Sequence, residues 1–337
     1  MNARRLRTLL GAACSLSLLV ADGASAGLFR AYVSQNGNDA NPCTLQQPCR
    51  LLPAGLAAIN DGGEIWMLDS ANYNTSPVAI NKSVTILAIP GALGSVVASG
   101  GDAIDVATAN VRVTLRNLVL LNFNAGAHGI RFSNGSRLTL EECELYGFPQ
   151  DAIHVTAPNA GVVVKNTTIH NVAGNGVFIA GSGVAGAVTA ALEHVSVFST
   201  NIGIAVASSA SVTLDDSLIN NTSTAVSESE AGGTGTRMTI NNSVIRASTT
   251  GILLTSPTAT DVVRMTLSRS TLAHNPTGID VQSASGDAKA TLDDNVLQNN
   301  TTAINFNGGT IFTRGNNTLQ FTTNGIVGGA LSPINGV

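Results

Sequence analysis

From residue 113 onward the chain repeats one short apolar pattern: VTLRNLVL, LTLEECEL, VVVKNTTI, AALEHVSV, VTLDDSLI, MTINNSVI, MTLSRSTL and ATLDDNVL, with a worn last copy FTRGNNTL. Taking the third residue of each copy as an anchor gives Leu115, Leu140, Val164, Leu192, Leu214, Ile240, Leu267, Leu292 and, in the worn copy, Arg314. Five residues after each anchor stands another aliphatic: Leu120, Leu145, Ile169, Val197, Ile219, Ile245, Leu272, Leu297 and Leu319. About twelve to fifteen residues after the anchor comes a third aliphatic, preceded by Gly or Ala, as in Gly129-Ile130, Ala152-Ile153, Gly176-Val177, Gly203-Ile204 and Gly278-Ile279. Each repeat of about 25 residues therefore predicts three short strands separated by turns, none able to bury its apolar face alone. Stacking each strand on its counterpart one coil later, about 4.8 Å away, satisfies the backbone and places like on like. The usual crossover hand makes the stack right-handed. The fold class is thus all-β, a single right-handed parallel β-helix with three strands per coil.

Stacking turns every repeat position into a column, and columns explain most polar residues without invoking function. The residue after the anchor runs Arg116, Glu141, Lys165, Glu193, Asp215, an exposed ladder of alternating charge at its start. Asp215-Asp216 and Asp293-Asp294 fall in the same outward turn and read as solvated turn acids. The third residue after the anchor runs Ser217, Ser243, Ser270, Asn295 and Asn317, an inward polar stack expected to bond turn backbones.

The N-terminal region breaks the repeat. Arg4, Arg5 and Arg7, the apolar run Leu9 to Val20 and Ala24-Ser25-Ala26 predict a secretory signal peptide over residues 1–26. The mature chain is then expected to begin at Gly27, an assignment that N-terminal sequencing of the exported protein checks directly. Residues 27–62 are expected to hold a Cys43–Cys49 loop and a capping helix over 50–60, with Pro53 near its start. The β-helix occupies 63–337. Cys143 reads as a buried small apolar residue. With residues 1–26 removed, 14 basic and 20 acidic side chains remain. That balance points to neither a nucleic-acid partner nor an anionic membrane surface. The apolar run at the start is too short for membrane insertion. The chain is placed outside the cytosol, extracellular or periplasmic, with its oligomeric state left open.

This pattern resembles the pectin-lyase-like superfamily of right-handed β-helix proteins. The opening YVSQNGNDANPCTLQQPCRLL, followed by GGEIWML and INKSVTI, is similar to the start of secreted bacterial β-helix repeat proteins. The resemblance covers the mature chain and implies the fold; its members include lyases, hydrolases, esterases, epimerases and non-enzymatic adhesins, so it does not choose a reaction.

One column departs from the structural pattern. Just before the Gly/Ala-aliphatic pair it runs His128, Asp151, Asn175, and one residue past the aliphatic it runs Arg131, His154, Phe178. His128, Arg131, Asp151 and His154 are the candidate catalytic residues, with Phe178 as a stacking floor and Asn175 as a second substrate contact. A carboxylate and an imidazole transfer protons, and a guanidinium neutralises charge. Ala127-His128-Gly129-Ile130 and Asp151-Ala152-Ile153 are similar to elements of polygalacturonase-like β-helix hydrolases. The double aspartate of those hydrolases and the acidic cluster of a calcium-dependent lyase are not expected on this sheet, where Asp151 is the one carboxylate placed. No metal or cofactor is expected. The sequence favours a non-catalytic binder of an extended polysaccharide or cell-surface glycan. The alternative is a polysaccharide lyase or glycoside hydrolase acting on an acidic polysaccharide.

Overall fold

The computed structural model of the chain describes residues 27–123, 126–182, 186–230, 232 and 235–334; the signal-peptide expectation for residues 1–26 lies outside them. The fold is a right-handed parallel β-helix. Each regular coil has a first strand, such as Arg137–Glu141, a short second strand, Glu144–Tyr146, and a third, Ile153–Val155. First strands stack into a 13-stranded sheet; second and third strands share a 20-stranded one. They share it because in two coils they fuse, as Thr168–Ala180 and Ser196–Ala207.

The expected register holds at eight anchors. Leu115, Leu140, Val164, Leu192, Leu214, Ile240, Leu267 and Leu292 pair in unbroken succession, and all are 0% exposed. The ninth anchor is corrected: Leu292 pairs with Thr313, not Arg314, and Ile311 supplies the buried contact of that coil. The turn after the first strand explains the Asn and Asp preference there. Asn117, Glu142, Asn166, His194, Asp216, Asn242 and Asp294 all have positive φ, the left-handed conformation that Asn and Asp tolerate best among residues with a side chain. Small residues precede the third aliphatic for a steric reason. A Cβ on Gly203 would stand 2.5 Å from the Ala225 carbonyl oxygen of the next coil.

The inward polar column forms the expected ladder. Each hydroxyl or amide oxygen accepts the backbone N–H of the coil before it: Ser217 N–H to Ser243 Oγ at 3.2 Å, Ser243 N–H to Ser270 Oγ at 3.1 Å and Ser270 N–H to Asn295 Oδ1 at 3.0 Å. A second ladder at the next corner was not foreseen. Asn275 Oδ1 accepts the Ser248 N–H at 3.0 Å, and Asn300 Oδ1 accepts the Asn275 N–H at 2.9 Å. Asn275 is fully buried, so Asn275→Ala strands the Ser248 N–H without water. A loss of about 1–3 kcal/mol in denaturant unfolding is expected; a neutral result would mean that the ladder carries no net stability.

At the N-terminus, Leu28–Val33 pairs with Ile59–Met67 and starts the first sheet. The helix spans Leu52–Ala58, shorter than the 50–60 expected because strand pairing begins at Ile59. Leu52 and Leu56 are buried, and Gly55 lies against Val33 and Ile65, so the helix sits over the first two coils. Cys43 and Cys49 form a disulfide. At the other end, Phe321, Ile326, Val327 and Ile334 are exposed.

Cys143 is a free, buried thiol in the column that continues as Thr167. Burial pushes it up to about 12, and its sulfur lies 3.3 Å from the Glu141 carbonyl oxygen. Thiolates are what alkylating agents attack. The native protein should therefore resist labelling at neutral pH and react only once unfolded. Rapid labelling of the native protein, read by mass spectrometry, would reject this placement.

Candidate functional site

The third strands of three successive coils, Ile104–Val106, Ile130–Phe132 and Ile153–Val155, carry the candidate residues. Pairing places Asp105 beside Arg131, Arg131 beside His154, and His154 beside Phe178. Their aliphatic neighbours face the core, so these side chains point outward on one face. The entry column runs alongside. Backbone bonds from Ala103 to His128, Gly129 to Asp151 and Ala152 to Asn175 stack Asp102, His128, Asp151 and Asn175.

The structure brings His128, Arg131, Asp151, His154, Asn175 and Phe178 together and adds two residues. The expectation that Asp151 is the one carboxylate on this sheet is corrected: Asp102 and Asp105 precede it by two coils. His128 Nδ1 lies 2.8 Å from Asp102 Oδ1. Arg131 Nε reaches Asp102 Oδ2 and Asp105 Oδ1, both at 3.1 Å. His154 Nδ1 lies 2.7 Å from Asp151 Oδ2. Two His–Asp pairs thus stand side by side, their rings 4.7 Å apart and tilted by 44°. The tautomer that fits these contacts carries its proton on Nδ1 and a lone pair on Nε2, an assignment made from the hydrogen-bond geometry.

Burial grades across the site. Side-chain exposure is 11% for Asp151 and 13% for His128, against 43% for Arg131. Burial pushes the Asp151 carboxyl up, yet hydrogen bonds from His154 and from the Asn175 backbone and amide outweigh it and hold the group below the usual carboxylate range. Both Asn175 donors go to Asp151 Oδ1, at 2.9 and 2.7 Å. Asn175 therefore positions Asp151, whereas the sequence suggested a substrate contact. Phe178 stacks on His154 with centroids 4.9 Å apart at 17°. One ring face is thus covered by His154, which narrows the floor it offers a sugar. One ligand atom each from His128, Asp151 and His154 lies within 4.8 Å of the others, a grouping that the expectation of no metal did not foresee.

Other histidines stand apart. His170 is sandwiched on the second-strand column between Tyr146 and Phe198, with centroids 5.0 Å away on both sides, and its Nε2 lies 3.0 Å from Glu144 Oε1. His194 sits in a turn at positive φ. A groove of about 460 Å³ along the second strands is lined by Leu93, Asn117, Val119, Glu142, Glu144 and Thr168, and by none of the His–Asp residues. The charge ladder is present as Arg116–Glu141 and Lys165–Glu193 ion pairs, both at 2.8 Å.

Coil geometry and strand register define a right-handed parallel β-helix. Residues 81–219 match the family model described as the right handed beta helix region. Among solved structures, the chain is similar to a pectate lyase, Pel9A, with a TM-score of 0.59 and 15% identity, over 88% of this chain and 77% of that one. It is similar to the A-module of the mannuronan C-5 epimerase AlgE6 from Azotobacter vinelandii, with a TM-score of 0.56 and 14% identity, over 87% and 88%. A GH136 lacto-N-biosidase from Eubacterium ramulus follows, with a TM-score of 0.51 and 10% identity, over 90% and 67%. No curated protein matches the chain in sequence. Likeness at these identities establishes the fold, and the reaction has to be argued from the site.

Proposed function

We propose that this chain cleaves an acidic polysaccharide by β-elimination, using the His128–Asp102 and His154–Asp151 pairs to move protons and Arg131 to hold the sugar carboxylate. One observation carries the reading: two imidazoles 4.7 Å apart, each tied through Nδ1 to its own carboxylate. A carboxylate on Nδ1 orients the ring and stabilises the charge it gains, so Nε2 serves as a base. One imidazole takes the proton from the carbon beside the uronate carboxylate. The electron pair left behind forms a carbon–carbon double bond as the glycosidic C–O bond breaks. The second ring, as imidazolium, returns a proton to the leaving oxygen. Arg131 engages both aspartates through Nε, and its half-exposed guanidinium tip stabilises the carboxylate as charge builds there.

Hydrolysis fits less well. An inverting hydrolase needs a protonated carboxylic acid opposite a carboxylate base. Asp151 is held ionised, and Asp102 and Asp105 are committed to Arg131 and His128. The added carboxylates, each with an assigned partner, also move the balance away from the non-catalytic binder that the sequence favoured. The similarity to a pectate lyase and a mannuronan epimerase supports the same direction, because both names describe work on uronate polymers. The Cys43–Cys49 disulfide supports an oxidising compartment outside the cytosol; among the described residues no helix is long and apolar enough to cross a membrane.

The test is a panel of uronate polysaccharides incubated with the mature protein, followed by ultraviolet absorbance of unsaturated ends and by reducing ends. Unsaturated products are expected. Reducing ends without unsaturation would replace elimination by hydrolysis, and retention of polymer without any cleavage would return the chain to the binding class.

A further inference from the structure

We propose that His128, Asp151 and His154 form a binding site for a first-row divalent transition-metal ion such as zinc, with Asp102 and Asn175 as outer-shell supports. The three side chains come from adjacent coils and bring one ligand atom each within 4.8 Å of one another. Nitrogen and carboxylate oxygen are the donors that zinc takes, at about 2.0–2.2 Å. Bonds of that length set neighbouring ligands a little over 3 Å apart in a tetrahedral site. Binding then asks for a contraction of up to about 1.5 Å, within reach of side-chain rotations.

The surroundings are those of a metal site rather than of a loose surface cluster. A ligating histidine characteristically gives its second ring N–H to a carboxylate, which fixes the tautomer and raises the basicity of the coordinating nitrogen. His128 does so to Asp102 at 2.8 Å. Asp151 is itself fixed by two bonds from Asn175 to Oδ1. Its Oδ2 lies 2.7 Å from His154 Nδ1, so loss of the proton between them leaves both atoms free to face one ion. Three ligands leave coordination positions open to water or to a sugar oxygen. The neighbouring acids do not make an oxygen-ligand calcium site. Arg131 lies between Asp102 and Asp105, a fixed positive charge where a hard cation would have to sit. His170 provides an internal contrast: it has a carboxylate partner, Glu144, but rings on both faces.

Zinc on Nε2 of His128 would consume a lone pair that the proposed proton transfer uses, and zinc between His154 Nδ1 and Asp151 would break that pair, so the metal is expected to inhibit that chemistry. The site itself stands without that reading, and binding is measured without any polysaccharide. Mature protein stripped with a chelator is titrated with Zn²⁺ by calorimetry and with Co²⁺ by visible absorption. One ion per chain is expected, with the ligand-field bands of nitrogen-coordinated cobalt. His128→Ala and His154→Ala should abolish the bands, Asp102→Asn should weaken binding about 10- to 100-fold, and His170→Ala should bind as the wild type does. Circular dichroism of each variant reports folding, and the wild-type titration needs no variant. Failure of wild-type protein to bind, or binding that survives loss of both histidines in folded protein, overturns the site. A protein that binds zinc but cleaves no polymer, with or without chelator, overturns the proposed elimination and leaves the metal site standing.

Discussion

Glu228→Leu is expected to stabilise the protein, with a gain that grows from about pH 5 and levels off above about pH 8. Glu228 points into the core, stacked between Val206 and Leu254, and is 0% exposed. Among the described residues, neither carboxyl oxygen nor the Thr236 hydroxyl beside it makes a well-formed hydrogen bond. Burial pushes the carboxyl up from its ordinary 4.5 to about 8, with the Thr236 hydroxyl and then the backbone N–H and charge of Arg264 pulling the other way. The folded protein therefore holds a proton that the unfolded chain releases above about pH 4.5. Stability is full below that value and falls by about 1.4 kcal/mol for each pH unit until the folded group also ionises near pH 8. Leucine matches its column neighbours and removes the slope; Glu228→Gln removes the slope while keeping a polar group. Denaturant unfolding from pH 4 to 9 for the three proteins checks this, at steps of about one unit across the window that linkage defines. A wild-type profile parallel to both variants would show that Glu228 does not carry the pH dependence.

His128→Ala should lower kcat on a uronate polymer about 10²- to 10⁴-fold, the usual worth of a positioned acid or base. It should do so with little change in melting temperature, because His128 stands at a strand entry and not among the stacked aliphatics. His170→Ala supplies the comparison: also a ring near a carboxylate, it lies on another strand column. Its rate should match the wild type. Equal activity of His128→Ala and the wild type would remove the His–Asp pairs from the chemistry.

The fold was legible because the core writes itself into the sequence as columns. Eight anchors repeat Leu, Val or Ile at one position, and a residue at that position has nowhere to go but inside. Register failed at Arg314, where a shortened coil puts Thr313 opposite Leu292. Upstream it was lost for a related reason. Leu115 pairs with Ile86 and Leu120 with Val96, so the five-residue spacing from anchor to second strand becomes ten in that coil. The extra residues, 89–93, left the strand-like stretch at 104–106 legible but hid its column register, and with it the place of Asp102 and Asp105. Their signal was present, since Asp102-Ala103-Ile104 repeats Asp151-Ala152-Ile153. The Asn175 role was not legible. Only coordinates show that both of its donors turn back onto Asp151, and residue type alone suits a sugar contact as well. Glu228 was missed because an inward acid contradicts the apolar pattern of the third strands.

The two ends of the helix are unlike: Leu52–Ala58 sits over the first coils, whereas Ile326 and Val327 of the last described coils face solvent. In a stack where each coil touches only its neighbours, cooperativity is one-dimensional and a perturbation fades within a coil or two. Opening therefore starts where the described coils are most exposed and travels toward the covered ones, as a zipper runs from its looser side. Hydrogen exchange is thus expected to be graded along the axis, fastest around residues 318–334. The His–Asp coils lie near the clasped end. Breathing at the far terminus leaves their spacing undisturbed, and the chemistry keeps its geometry while the rest of the rod begins to fray.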